Sequence, residues 1–330
     1  MEISFNTMPG SFNLSMGYGY AAYNMLSSLK QLGHEIPYNK PDAKVQISFC
    51  QPPWYKFHPG QYKIGYTPWE STAIPAGWLG EMNDCDEIWT TSPLIAKWYK
   101  EGGITPPIYV YEHGIDPMWT PKMRSRRPDA PIRFLHVGDP APRKGGQLTF
   151  DTWLSTFGTG DKSVHLTIKA IDFSTVRWKD HKGSMIQPMH SIPNVSVNTT
   201  ELSSEDMVTL FHNHDVLVYP SWGEGFGLIP LQAMATGMPV ICTEAWAPYS
   251  KFFNGLGIRS ELADSPWPTP HDGKMFRPDS AHLSELMSTV ADDYDHYAEL
   301  FYNQAKQIHD EYNWLDLTEQ AYRHIVNKFS

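Results

Sequence analysis

The sequence predicts an α/β protein built from two doubly wound parallel-sheet domains, and three observations carry that expectation. Short apolar runs alternate with helical stretches through the first third of the chain. The same alternation restarts at Ile132, and between the two halves lies "DPMWTPKMRSRRPDAP" (116–131), rich in proline and basic residues and poor in apolar periodicity. Strands that alternate with helices need crossover connections, which cover a parallel sheet on both faces. A chain of 330 residues with 41% hydrophobic content also exceeds what one core holds, so two domains are expected on size alone.

Each element follows from local pattern. Residues 2–6 read as a strand, and from Gly17 the apolar positions Ala22, Met25, Leu26, Leu29 and Leu32 recur at helical spacing until Gly33 stops them. Runs at 45–49, 64–66, 87–91 and 108–111 read as strands, with a helix over 94–99 before the last. The second half offers strands at 132–137, 163–168, 195–197, 215–219 and 239–243. Helices are expected at 145–157, at 203–212 and from Leu228. The tail from Ser280 reads as two or three helices with turns near Asp292 and Asn313. The expected organisation is an N-terminal domain over 1–116, a linker over 117–131, a second domain over 132–310, and a C-terminal helix over 311–330 with packing against the first domain as one option. No internal repeat with a period of 20 to 50 residues is present.

Charge and cysteine usage exclude several function classes. Lys and Arg number 26 against 36 Asp and Glu, a net charge of −10, which argues against broad adhesion to nucleic acid or anionic membrane. Cys50, Cys85 and Cys242 are too few and too scattered for a disulfide framework or a zinc site. The N-terminus lacks the basic and apolar regions of a signal peptide, and no stretch approaches the roughly 18 apolar residues of a membrane span. A soluble, cytoplasmic protein is expected.

The segment "GEGFGLIPLQAMATGMPV" (223–240) carries the strongest functional signal. Glycines let a ligand approach the main chain closely. The segment follows a strand and opens a helix with Pro230 in its first turn, so free amides there suit an anion. Glu224 at the mouth is suited to accept hydrogen bonds from sugar hydroxyls.

The longer stretch "YPSWGEGFGLIPLQAMATGMPVICTE" resembles the signature of retaining GT-B glycosyltransferases of the "group 1", glycogen-synthase-like family, in which a Glu is followed after seven residues by a second Glu. Glu224 matches the first. Gln232 stands at the second, where an amide can still bond a ribose diol but lacks the carboxylate charge. "HVGDPAPRKGG" (136–146) resembles the strand and loop that supply cations to the diphosphate: Lys144 falls on the family's lysine, Asp139 occupies the usual arginine position, and Arg143 stands ready to substitute. "GYGYAAYNMLSSLKQLGHEI", "YVYEHGIDPMWTP" and "DGKMFRPDS" resemble further segments, while "YTPWEST" and "DEIWTTSPLIAKWYKEGG" resemble a subset with a Trp-Glu pair.

The resemblance implies the GT-B fold, two Rossmann-like doubly wound domains facing across a cleft, and transfer from a UDP- or GDP-type sugar with retention and without a metal or other cofactor. It implies catalytic roles for Glu224, Lys144 and Arg143, and donor contacts from Gly225, Phe226, Gly227, Leu228, Gln232 and Gly17. It places the nucleobase near 195–197 and "NTTELS", and acceptor contacts at Trp69, Glu70 and Tyr18, where Glu70 serves as base or, preferably, positions a hydroxyl. The acceptor class stays open among glycan, lipid, small molecule, protein and modified nucleobase; the basic stretch 122–127 and "VRWKDHK" (176–182) keep a flipped-base or single-strand acceptor among these.

Blander readings stand beside these. Glu224 can be a solvated loop carboxylate, Gln232 an amide on an exposed helix face, Lys144 and Arg143 surface charge, His113 a turn residue, and Trp69 and Glu70 ordinary structure. Asp84-Cys85-Asp86 imitates a metal motif but precedes a strand, so it reads as a helix-to-strand turn; "HNHD" (212–215) reads as a helix end. Gly17-x-Gly19 lacks the tight turn of a dinucleotide fingerprint. The rival functions are a dinucleotide-dependent oxidoreductase on the Gly17 loop and a non-catalytic sugar-nucleotide binder, the latter suggested by Gln232 and Asp139.

Overall fold

Five parallel strands in sequence order make the first sheet: β1 (Ile3–Asn6), β2 (Val45–Phe49), β3 (Tyr62–Tyr66), β4 (Glu87–Thr90) and β5 (Ile108–Val110). The structure is a computed structural model and describes residues 2–6, 17–170, 178–179, 185–186, 192–269 and 271–330. The chain forms two compact units, one of residues 1–116, 269–273 and 310–330, the other of 117–268 and 274–309.

In the first unit, α1 (Gly17–Gln31) buries Ala21, Ala22, Met25 and Leu29. The connection from β2 to β3 holds only a 3-10 turn at Pro52–Trp54, since Pro52, Pro53 and Pro59 interrupt any longer helix. The strands of this sheet follow one another in chain order. After the short α2 (Leu79–Asn83), α3 (Pro93–Glu101) starts at Ser92, whose hydroxyl accepts from the Ile95 amide, with Pro93 in the first turn. The helix Trp314–Phe329 belongs to this unit and is pinned by a buried carboxylate. Glu87 on β4 accepts from Lys328 Nζ at 2.5 Å, His324 Nε2 at 2.9 Å, Tyr62 OH at 2.9 Å and Trp89 Nε1 at 3.0 Å. Burial pushes its pKa up, but these donors outweigh it and hold the carboxyl below its ordinary value.

The second unit runs β6 (Ile132–Val137), α4 (Gly146–Phe157), β7 (Val164–Lys169), the short antiparallel pair β8 (Trp178–Lys179) and β9 (Met185–Ile186), β10 (Val195–Asn198), α5 (Ser204–His212), β11 (Val216–Tyr219), α6 (Leu228–Ala235) and β12 (Val240–Thr243). Then come β13 (Gly257–Ile258), the antiparallel pair β14 (Ser260–Asp264) and β15 (Lys274–Pro278), α7 (Ser280–Asp292) and α8 (Tyr294–Glu311), with Trp314–Phe329 as α9. The main sheet is parallel in the order β10-β7-β6-β11-β12-β13. The chain moves outward from β6 to β10, then returns to lay β11 on the other side of β6. That reversal between β6 and β11 is where open α/β sheets bind ligands, beyond the carboxyl ends of the strands.

Three expectations need correction. Strands β13 to β15 were not anticipated, since proline and polar residues interrupt any alternation there. The stretch 117–131, expected as a linker, belongs to the second unit and is bonded to it. Arg124 is buried and its guanidinium donates to the carbonyls of His214 at 2.9 Å, Thr236 at 2.7 Å and Phe211 at 3.0 Å, while Lys122 Nζ reaches His212 O at 2.7 Å. These two cations cap the carboxyl ends of α5 and α6. His113, read as a turn residue, is buried among Phe49, Tyr66 and Trp314, and burial drives its pKa down to about 3. The segment 176–182 lies outside the described residues except for the two of β8.

Asp84-Cys85-Asp86 links α2 to β4, with Asp84 paired to Lys63 at 2.5 Å. His212 and His214 lie at the end of α5 and bond the carbonyls of Thr120 and Leu210. Among the described residues, no three His, Cys, Asp or Glu side chains cluster to hold a metal ion, and no helix is long and apolar enough to cross a membrane.

Candidate active site

Two loops at the sheet reversal are stitched together by main-chain contacts. The loop after β6 turns at Gly145 (φ +74°), where a Cβ would lie 2.2 Å from Pro220 O on the loop after β11. Trp222 N donates to Arg143 O at 2.7 Å, and Trp246 Nε1 holds Ser221 O at 2.8 Å. This stitching brings Arg143 and Lys144 to Glu224, some 80 residues later.

Glu224 Oε1 accepts from Ser221 Oγ at 2.7 Å, Lys144 Nζ at 2.8 Å, Tyr219 OH at 2.9 Å and Arg143 NH1 at 3.2 Å; Oε2 accepts from Lys144 Nζ at 2.9 Å. The side chains of Glu224, Arg143 and Lys144 are 8%, 11% and 15% exposed, so none is a solvated surface charge. Burial alone would raise the Glu224 pKa, but Lys144 and then Arg143 overturn that effect and lower it to about 2. The carboxylate is therefore an acceptor and not a proton donor at physiological pH. Two cations against one carboxylate leave the cluster one positive charge in excess, beside the free amides at the start of α6.

Gly227 caps α6 at φ +88°, and a Cβ there would lie 2.4 Å from Tyr249 OH and 2.5 Å from the Trp246 ring. Positive φ costs about 1–2 kcal/mol for a side-chain-bearing residue and overpacking about 1–3 kcal/mol more. Gly227→Ala is thus expected to lose about 2–5 kcal/mol in chemical denaturation, and a variant of unchanged stability would contradict this packing.

The remaining donor residues divide by what they expose. Phe226 is buried with its ring against Tyr249 at 5.6 Å, so it offers a ligand main chain only, while Gly225 and Leu228 are half-buried. Gln232 is 5% exposed, which removes the exposed-face reading, and its amide makes no hydrogen bond among the described residues. Asp139 accepts from the Ala141 amide at 3.1 Å and shapes its own turn. Sequence reasoning missed Tyr219 and Ser221 as partners of Glu224. Both sit inside the quoted motif, yet only the fold shows their hydroxyls turned toward the carboxylate. It also missed His136, buried at the end of β6 with Nδ1 3.0 Å from Val218 O and its pKa lowered to about 4 by burial.

In the first unit, Gly17 opens α1 with nothing within 4 Å of where a Cβ would sit. Tyr18 donates to Pro68 O at 3.4 Å; burial and then the charge of Glu70 push its phenol pKa well up, so the two are neighbours. Trp69 is corrected from acceptor contact to core: it is 2% exposed, donates to Ala73 O at 2.8 Å, and packs on His271 (4.7 Å, stacked) and Trp78 (4.3 Å). Glu70 is bonded to His271 Nε2 at 3.1 Å, and Ser71 Oγ donates to Asp272 O at 2.7 Å. His271 comes from residues 269–273, and no local pattern ties it to Glu70.

Comparison with known proteins identifies the fold and the family. The family model described as "Family 4 Glycosyltransferase in conflict systems" matches residues 93–315. No curated protein matches the chain. Among solved structures, sucrose-phosphate synthase from Thermosynechococcus elongatus has a TM-score of 0.69 at 12% identity, covering 100% of this chain and 99% of that one. Anabaena HepE, in complex with UDP and glucose, has a TM-score of 0.68 at 12% identity, covering 99% of each chain. WaaG, a glycosyltransferase involved in lipopolysaccharide biosynthesis, has a TM-score of 0.61 at 15% identity, covering 97% of this chain and 98% of that one. These likenesses show the GT-B fold, and the family match sets aside the oxidoreductase alternative. With the match spanning well over half of its residues, the chain belongs to the family 4 glycosyltransferases of conflict systems.

Proposed function

We propose that the protein transfers a sugar from a nucleoside-diphosphate sugar to an acceptor hydroxyl, with retention at the anomeric carbon and without a metal ion. The observation that carries this reading is the buried Arg143, Lys144 and Glu224 cluster at the sheet reversal, with its excess positive charge. The complex of HepE with UDP and glucose supports a nucleotide sugar as donor.

Lys144, Arg143 and the amides at the start of α6 hold the diphosphate, while the ionised Glu224 accepts hydrogen bonds from sugar hydroxyls. In the transfer step the bond from the anomeric carbon to the diphosphate oxygen breaks and the acceptor oxygen bonds the same face of that carbon. The acceptor proton passes to the departing phosphate oxygen. The two cations, shared with Glu224, turn part of their hydrogen bonding to the growing negative charge, the electrostatic task that a metal performs elsewhere. Tyr18 and Glu70 position the acceptor hydroxyl in the first unit, and Gln232 bonds the donor ribose. Three free, buried cysteines suit a reducing, cytoplasmic setting.

The test is thermal stabilisation by a panel of UDP-, GDP- and ADP-sugars, followed by NMR of the product's anomeric configuration. A matching donor raises the unfolding midpoint and yields a retained linkage. An inverted product would overturn the retaining mechanism, and stabilisation by none of them would overturn the donor. Gln232→Glu is expected to hold or tighten donor affinity, because a carboxylate bonds a ribose diol more strongly than an amide; a collapse in affinity measured by calorimetry would contradict the ribose contact.

A further inference from the structure

The two oxygens of Glu224 are held differently. Oε1 accepts from Ser221, Lys144, Tyr219 and Arg143, whereas Oε2 accepts, among the described residues, from Lys144 alone. A carboxylate oxygen offers about two lone-pair directions, so Oε1 is crowded with donors while Oε2 keeps room for one more. A ligand hydroxyl therefore meets Glu224 at Oε2.

The donors to Oε1 are of two kinds. Lys144 and Arg143 are cations, and a bound diphosphate competes with Glu224 for both. Lys144 Nζ places its three protons on the two Glu224 oxygens and on Tyr219 OH at 3.2 Å, so a diphosphate takes it from partners it already has. Tyr219 and Ser221 are neutral, and a diphosphate has no comparable pull on them. Tyr219 is 1% exposed and ends β11 in register with Cys242 of β12, with its ring against His136 (6.2 Å, stacked) and Trp246 (6.4 Å, edge-on). Burial, and then the charge of Glu224, push its phenol pKa well up, so the hydroxyl keeps the proton it donates. Ser221 is fully buried, and its carbonyl is held by Trp246 Nε1. Two fixed neutral donors match the two lone pairs of Oε1.

Resting on the nucleotide-sugar reading, we propose that Tyr219 is a positioning residue for sugar transfer: with Ser221, its phenol keeps Glu224 anchored by Oε1, and Oε2 aimed at the sugar, while Lys144 and Arg143 turn to the diphosphate. Calorimetry of the full chain tests this with UDP-glucose, GDP-mannose and ADP-glucose, each against its own nucleoside diphosphate, and with inorganic pyrophosphate. Tyr219→Phe removes the hydroxyl and keeps the ring. It is expected to weaken the matching nucleotide sugar by about threefold to tenfold, the worth of one hydrogen bond, and to leave the nucleoside diphosphate and pyrophosphate within about twofold of the wild type. In a Glu224→Ala background the same substitution is expected to change nucleotide-sugar affinity by less than about twofold, because a group that acts through Glu224 then has nothing to hold. 4-Aminophenylalanine at position 219, which returns an N–H donor to the ring, is expected to restore wild-type affinity. A residue that only fills space would weaken all ligands together. Unchanged nucleotide-sugar affinity in Tyr219→Phe, an equal loss for pyrophosphate, or a loss that persists without Glu224 would overturn the proposal. Where Tyr219→Phe does not fold, Ser221→Ala decides: the phenol alone is expected to retain most of the sugar's contribution, and a loss as large as that of Glu224→Ala would overturn its role. A wild type that binds none of the nucleotide sugars would overturn the donor reading itself, and a Glu224→Ala protein with the wild-type preference for the nucleotide sugar would overturn the sugar contact of Glu224.

Discussion

Glu224→Ala is expected to lower sugar transfer by at least about a hundredfold while leaving pyrophosphate binding as tight as in the wild type or tighter. The geometry explains the split. Glu224 occupies both Lys144 and Arg143, so its removal frees two cations for the diphosphate but leaves the sugar without its acceptor group. Stability should fall as well, by about 3–5 kcal/mol, because the substitution leaves buried cations unpaired. The pH dependence has a fixed sign. The folded pKa of about 2 lies below the ordinary 4.5, so this carboxylate stabilises the fold above the ordinary value and its contribution fades as pH falls toward 2. Denaturation midpoints from pH 7 to pH 2 should show that decline in the wild type and a flatter curve in Glu224→Gln. Wild-type turnover in Glu224→Ala would remove the residue from the chemistry.

Lys144→Ala is expected to weaken nucleoside-diphosphate binding by about tenfold to a hundredfold, the range of a charge-assisted hydrogen bond, and to leave nucleoside binding unchanged. Lys144 is the nearest cation to both Glu224 oxygens, so the substitution should also let the Glu224 pKa rise toward its ordinary value and shift acid unfolding to higher pH. Titration with the nucleoside and its diphosphate separates the two effects. Equal losses for both ligands would contradict a phosphate role.

The composition of the site was legible where it is local in the chain. Alternating apolar runs and helices marked both parallel sheets, and the glycine-rich turn after β11 placed Glu224 at a strand end. The Arg143-Lys144 pair was visible as cations on a turn after a strand. Each of these depends on neighbours within a few residues, where backbone conformation and periodicity act directly.

What only the tertiary structure decided depends on residues far apart in sequence. Glu224 meets Lys144 across 80 positions and Glu70 meets His271 across 201, because strand register and loop stitching bring them together. Trp69 was indistinguishable from an acceptor platform until its ring was found buried on His271, and Arg124 read as linker charge until its guanidinium was found on the carboxyl ends of two helices. Burial is a property of the whole packed unit, and it turns a lysine, a histidine or a carboxylate from a solvated charge into a group that must find a partner.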